Sequence, residues 1–384
     1  MEKILFITKV CFLDAALEYI NQVKQNYILD VLIEIDPHSK NQNILNLEDL
    51  PHTGTFFLPN QLMNNFDYAA FIPYMQGCNS FQFFVHQNPK SLHWSSFKKS
   101  FQLFTFIKKL QPDFIHFDDV SIRLIPLTFL LKKKNKLIIN VHDPVQHSGE
   151  RNKKFLLARA LFYKKAVKFI TFSEFSQKLF FNIYGNKVPC IQVKLKPYKI
   201  YTYYLKDKNY KKQYITFIGR LSNYKGIDLF IESIKSLSQK YPSQKFIIAG
   251  QATNSFNLDS FSELAKNPNI KFFLTHLSTE AVAKIISESL TIVCPYKDAT
   301  QSGVVMTSLA LETPIIASNV GGLPEYIENG KTGILTDFKV DSLTKACEKM
   351  ITNTHLEKIM VSEIRKSNNS NHKIDKNSLA AIYC

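Results

Sequence analysis

Short apolar runs alternate along the first half of the chain with longer segments in which apolar positions recur every three or four residues. The runs KILFIT at 3–8, VLIEID at 31–36, FIHF at 114–117, KLIINV at 136–141 and KFITF at 168–172 leave little room for a solvated face. Strands that are apolar on both sides belong in a parallel sheet covered by helices on each face. Between the runs, the spacing predicts helices over 13–23, 96–110, 119–132, 152–167 and 174–183. The alternation lapses at 193–213, a Tyr- and Lys-rich stretch without period. It resumes with runs at 214–219, 245–250, 270–274, 291–294 and 314–318, again separated by helical segments. Strand and helix in alternation on both sides of an aperiodic connection predict two doubly wound α/β domains. Their expected extents are 1–195 and 196–366, with 367–384 as a tail that packs back on the first.

Composition narrows this further. With 45% hydrophobic residues the chain has ample material for a core, and six scattered cysteines without a CxxC spacing suggest neither a disulfide scaffold nor a zinc site. The amino-terminal apolar run is broken by Lys9 and Asp14, which reads as a strand and helix rather than a signal peptide. The apolar stretches fall short of the roughly 18 residues a membrane span needs. A reduced, cytoplasmic setting is expected. The formal charge of +16 favours an anionic partner: a phosphorylated small molecule, anionic lipid or nucleic acid.

Glycine is scarce, at 12 in 384 residues, and eight of the twelve lie between Gly219 and Gly333. They sit at strand ends and helix starts, where a backbone approaches a ligand closely or takes positive φ. In the segment FIGRLSNYKGIDLFIESI, a strand runs into Gly219 and Arg220, and Lys225–Gly226 opens a helix. Arg supplies a planar fork of donors and Lys a mobile point charge, a pair suited to a diphosphate. In CPYKDATQSGVVMTSLALETPIIASNVGGLPEYIENGKTGIL, Ser302 caps a helix beginning at Gly303, and a following strand leads to Gly321–Gly322. A helix start carries unpaired N–H groups and the positive end of the dipole, again suited to phosphate. Taken singly, each cluster also fits ordinary turns and caps.

Together the segments GRLSNYKGIDLFI, PY at 295–296, QSGVVMTSLALETPIIAS and NVGGLPEYIENGKTGIL resemble the donor domain of glycosyltransferase family 4, the retaining GT-B enzymes also called group 1 transferases. The likeness is strong over 214–335. It is looser in the first half, where PDFIHFDD, NVHDPVQHSGE and ITFSEFSQKLF carry it. The resemblance implies a GT-B fold of two Rossmann-like domains facing across a cleft. The implied activity is transfer of a sugar from a nucleotide-diphosphate sugar to a glycan or lipid-linked acceptor with retention, in bacterial surface polysaccharide or glycolipid synthesis. Carried over by position, Arg220 and Lys225 hold the diphosphate and stabilise the leaving group. Gly219, Gly303, Val304, Gly321 and Gly322 lie at the donor, and His142 reaches the sugar or acceptor. His147 and Glu150 are acceptor-side candidates.

Many members carry two glutamates eight positions apart, and the corresponding residues here are Ala299 and Thr307. Gln301, Ser302 and Thr307 are the neutral hydrogen-bonding substitutes, and Asp298 is the nearest carboxylate. A Gly-Gly turn frequent after the first strand is also missing from KVCFLDAALEY. No Asp-x-Asp triplet is present, which argues for metal-independent transfer with no cofactor beyond the co-substrate. The basic, aromatic-bearing segment 151–169 suggests peripheral attachment to an anionic membrane. Alternatives are a GT-B-like subunit that has lost catalysis, and a nucleic-acid-binding protein motivated by charge alone, for which no motif is found.

Overall fold

The structure is a computed structural model, and it describes residues 1–37, 44–47, 49–132, 134–145, 152–205, 210–253, 261–262, 264–370 and 376–384. The chain divides into two compact units: Met1–Lys196 with Lys373–Cys384, and Pro197–His372.

The first unit is built on eight strands: β1 (Lys3–Lys9), β2 (Ile28–Ile35), β3 (Phe56–Phe57), β4 (Ser80–Val85), β5 (Phe114–Asp118), β6 (Lys136–Val141), β7 (Ala166–Thr171) and β8 (Cys190–Gln192). Their order in the sheet is β3-β4-β2-β1-β5-β6-β7-β8, parallel throughout except for the antiparallel pair of β3 with β4. The helices are α1 (Leu13–Val23), α2 (Tyr68–Met75), α3 (Trp94–Leu110), α4 (Ile125–Leu130), α5 (Lys153–Tyr163) and α6 (Glu174–Tyr184). Alternation along β1 explains how both faces are covered. Leu5 and Ile7 join a core with Leu103 and Ile107 of α3, Leu127 of α4 and Phe162 of α5. Phe6 points the other way, its ring 5.3 Å from that of Tyr19 on α1.

The second unit holds β9 (Tyr214–Ile218), β10 (Lys245–Ala249), β11 (Ile270–Phe273), β12 (Ser289–Cys294), β13 (Ile315–Ser318) and β14 (Gly333–Thr336). Helices α7 (Ile227–Lys240), α8 (Thr279–Ser287), α9 (Gly303–Ala310), α10 (Val340–Thr352) and α11 (Thr354–Ser370) surround them. All neighbours are parallel, in the order β11-β10-β9-β12-β13-β14. The doubly wound architecture expected from the alternation is present in both sheets. A last helix, α12 (Lys376–Tyr383), belongs to the first unit, where the Tyr383 ring lies 5.6 Å from Phe114 on the same face as α1.

Three local differences from the sequence pattern have physical causes. The helix expected over 119–132 is shorter, because Asp119 takes a left-handed φ of 67° and a 3-10 turn (Ile122–Leu124) precedes α4. The helix expected over 152–167 stops at Tyr163, since the sheet reclaims the chain at Ala166. Helix α2 carries Pro73 inside it, which masks its helical signal in the sequence.

Candidate active site

In each sheet the strand order reverses between the first strand and a later one, and the crevice beyond the carboxyl ends at such a reversal is where open α/β sheets bind ligands. In the second unit the reversal separates β9 from β12. The chain leaves β9 through Gly219, exposed Arg220 and a 3-10 turn (Asn223–Lys225), then enters α7 through Gly226 at φ 67°. It leaves β12 through Pro295 and Tyr296. These two loops cross at backbone contact: Lys297 N–H donates to Tyr224 O at 2.8 Å, and a Cβ on Gly226 would stand 1.8 Å from Pro295 O.

Tyr296 is the pivot of this crossing. It is 1% exposed, and its ring centroid lies 4.1 Å from Lys225 Nζ, which donates to its hydroxyl at 3.1 Å. The same hydroxyl is 3.3 Å from Ser302 Oγ. Burial, with the Cys294 thiol adding to it, raises the phenol well above its ordinary range, so Tyr296 is a neutral platform under a charged lysine. Ser302 Oγ in turn accepts from Val305 N–H at 3.4 Å and caps α9. Gly303 is exposed at the helix start, and Val304 touches Gly219, its Cγ2 3.6 Å from where a Cβ would be. Half-buried Gln301 precedes the cap.

The loop after β13 closes the group. Gly321, at φ 55°, leaves a gap of 1.8 Å between a would-be Cβ and Ala299 O, and Gly322 N–H donates to that same carbonyl at 2.9 Å. The fold thus brings Gly219, Arg220, Lys225, Ser302, Gly303 and the Gly321–Gly322 turn to one strand-end edge, with Gln301 and Val304 flanking. Thr307 differs: it is buried, and its hydroxyl donates to Gly303 O at 2.9 Å, so it serves its own helix. Chemically this edge combines two cations, the positive end of α9 and close-packed backbone turns, a constellation suited to a diphosphate.

In the first unit the reversal separates β1 from β5. His142, just past β6, is buried there, with its ring stacked on Phe12 at 3.7 Å and its Nε2 2.7 Å from Asp118 Oδ1. Asp118 also accepts from Thr8 Oγ1 at 2.8 Å and Asn140 Nδ2 at 2.9 Å. Burial pushes the Asp118 carboxyl up, but His142 and these hydrogen bonds more than reverse it, leaving the group below its ordinary value. An ionised Asp118 only accepts, so Nε2 of His142 carries the hydrogen.

The network continues inward. Asn140 Oδ1 accepts from His116 Nε2 at 2.8 Å, which makes His116 Nδ1 the acceptor for the Tyr383 hydroxyl at 2.7 Å. Tyr383 then accepts from Tyr19 at 3.0 Å. Every donor in the series points toward Asp118, and burial lowers His116 to about 4, keeping it neutral. A second group lies beside this one. Glu34 Oε1 accepts from His86 Nε2 at 3.0 Å and Ser121 Oγ at 2.7 Å, and Lys9 Nζ donates to Val120 O at 2.9 Å. Burial opposes the charge on Lys9, yet the surrounding thiol and carboxylates, Cys11, Asp119, Glu34 and Asp118, raise its pKa overall.

His142 is legible in the sequence motifs, whereas Asp118, Lys9, Glu34, His116, Tyr296 and Tyr383 join these groups only in the folded chain. The available signal was position: Lys9, Asp118 and Tyr296 each end or closely follow an apolar run. His147 and Glu150 lie outside the described residues. The first strand leads into α1 through a 3-10 turn (Val10–Phe12) whose dihedrals need no glycine.

Residues 206–367 match the family model described as glycosyl transferases group 1. The alpha-D-kanosaminyltransferase of Streptomyces kanamyceticus is 25% identical over 150 residues, 38% of each chain. The capsular polysaccharide biosynthesis glycosyltransferase CapM of Staphylococcus aureus is 28% identical over 157 residues, 40% of each. The chain thus spans about two fifths of the length of these curated relatives. Among solved structures, Anabaena HepE in complex with UDP aligns with a TM-score of 0.67 at 16% identity, over 99% of this chain and 98% of that one. The fold is therefore GT-B, two Rossmann-like α/β domains, as the sequence motifs implied.

Proposed function

We propose, from the match of residues 206–367 to the group 1 glycosyltransferase family model, that the protein transfers a sugar from a nucleotide-diphosphate sugar to a glycan or lipid-linked acceptor, with retention of configuration. The observation that carries this is the crossing of the β9 and β12 loops, which sets Lys225 on Tyr296 beside the start of α9. Arg220 and Lys225 hold the diphosphate and neutralise charge as the leaving group departs, a role a divalent ion plays in other transferases. Gly303 and Val304 offer backbone N–H groups to the same phosphates. Gln301 and Ser302 bind the donor as neutral partners where many relatives have carboxylate. His142 acts on the acceptor side, oriented by Asp118 through Nε2. The names of CapM and HepE's bound UDP support a uridine nucleotide and a surface-polysaccharide acceptor. We further place the protein at the cytoplasmic face of a membrane, attached peripherally through the first unit, consistent with its net charge of +16.

The test is nucleotide release from UDP-, GDP- and CMP-sugars, with and without oligosaccharide or lipid-linked acceptors, for the wild type and for the Arg220→Ala, Lys225→Ala double variant. Release by the wild type and its loss in the double variant support the assignment. Equal release by both refutes the roles of these cations, and no nucleotide-sugar binding at all favours a subunit without catalysis.

A further inference from the structure

Helices α3 and α4 of the first unit expose four aromatic side chains: Trp94 at 77%, Phe97 at 52%, Phe101 at 61% and Phe129 at 71%. Residues 94, 97 and 101 share a face of α3, and with Lys98, Pro126 and Leu130 they line a groove between α3 and α4. This is not a core left unfinished, because the opposite face of α3 buries Leu103 and Ile107 in the sheet. At about 200 Å² per aromatic side chain, the exposed apolar area is on the order of 500 Å². Patches near that size, about 300–600 Å², are the largest a typical monomer shows and are often functional.

The charge around the patch has one sign. Helices α3, α4 and α5 contain no aspartate or glutamate, and positions 68–112 contain none either. By contrast α7, α8, α10 and α11 each carry at least one carboxylate. Of the cations on the three helices, Lys99 and Arg159 turn inward, to Val85 O and to Pro144 O. Lys98, Lys108, Lys109, Lys153 and Lys154 are exposed. On α5, Leu156 and Leu157 are about half exposed, while Ala158 and Phe162 pack on the sheet.

We propose that the first unit docks on an anionic lipid bilayer through the outer face of the α3–α4 helices, with Trp94, Phe97, Phe101 and Phe129 entering the interfacial zone and the lysines meeting lipid phosphates. This rests on the membrane part of the function proposed above and moves the contact from α5, which the sequence pattern suggested, to α3 and α4, with α5 as a basic flank. Aromatic rings at the boundary and lysines above it suit a bilayer surface. A second copy of the chain would bring one lysine rim against another.

Trp94 is the only tryptophan in the chain, so its emission reports the patch directly. The full chain is mixed with phosphatidylcholine vesicles with and without one part in three of phosphatidylglycerol, and binding is read by flotation and by Trp94 fluorescence. The comparison proteins are Phe97→Ser, Phe101→Ser, Phe129→Ser and, separately, Leu156→Ser, Leu157→Ser, each checked by circular dichroism. Expected are a blue shift of Trp94 with the anionic vesicles, weakening with salt, and a loss of at least about ten-fold in vesicle affinity in the triple variant. If the wild type binds but Trp94 emission stays put, or the triple variant binds equally, the contact lies elsewhere while membrane attachment stands. If the wild type ignores anionic vesicles at low salt, the membrane reading falls with it. Self-association abolished by the triple variant, without vesicle binding, identifies a protein interface instead and overturns the proposal.

Discussion

A methyl group on Gly226 would test whether the donor edge depends on the close crossing of its two loops. Gly226→Ala meets two obstacles: a left-handed φ of 67°, and a Cβ position 1.8 Å from Pro295 O. Gly330→Ala meets only the first, with φ at 81° and nothing within 4 Å. The left-handed conformation costs alanine roughly 1–2 kcal/mol, and reduced freedom of the unfolded chain returns about 0.4–1 kcal/mol. Gly330→Ala is therefore expected to lose about 0–1.6 kcal/mol. At Gly226 the backbone carbonyl cannot swing aside as a side chain would, so one loop must shift by more than about 1 Å, adding roughly 1–3 kcal/mol as in overpacked cores. Urea unfolding followed by circular dichroism gives the stabilities, and nucleotide release gives the function. The expectation is a Gly226→Ala protein about 1–5 kcal/mol less stable and defective in release, beside a Gly330→Ala protein that keeps normal release. Equal stabilities in the two variants, or full nucleotide release with Gly226→Ala, would show that the donor edge does not depend on this crossing.

Other outcomes follow from the first unit. Asp118→Asn takes away the carboxylate charge that holds His142 and leaves one amide oxygen for the three donors His142, Asn140 and Thr8, so transfer is expected to fall by about 10²-fold while affinity for the nucleotide sugar, measured by calorimetry, is unchanged; matching losses in both would make the residue structural. Tyr383→Phe removes the 2.7 Å bond to His116 Nδ1 and the 3.0 Å bond to the Tyr19 hydroxyl, leaving these two buried groups only their long 3.5 Å contact with each other, and a loss of about 1–3 kcal/mol in chemical denaturation is expected. His116 binds its proton less readily folded, at about 4, than unfolded at about 6.5. Its contribution is thus fully present above pH 6.5 and lost as pH falls toward 4, and His116→Gln should flatten that segment of the stability profile.

The apolar runs gave away most strands because parallel strands buried on both faces are apolar through their middles: the run KILFIT at 3–8 covers six of the seven residues of β1, which extends one residue further to Lys9. Strand β4 (SFQFFV) and helix α2 were missed, the latter because Pro73 sits inside it. The donor edge was legible because close backbone crossings require glycine, and glycine is scarce here. Tyr296 stands in the sequence only as part of the PY pair at 295–296; its role depends on the Lys225 side chain folding back over its ring. Thr307 illustrates the converse, a polar residue whose position in a motif suggested a ligand but whose hydroxyl is used within α9. The Asp118 and Glu34 networks were invisible because their members come from strands distant in sequence, and only the sheet order β2-β1-β5-β6 sets their carboxyl ends side by side.

In the proposed donor site, the β9 and β12 loops of the second unit bind the diphosphate of a sugar nucleotide through Arg220 and Lys225. Isothermal titration calorimetry of the full chain with UDP-glucose and a panel of other nucleotide sugars measures that binding. Each charge-assisted contact is worth about 1.5–3 kcal/mol, so the double alanine variant should bind at least about 100-fold more weakly than the wild type, without added metal. Undiminished binding in the double variant would rule out this role for the two cations.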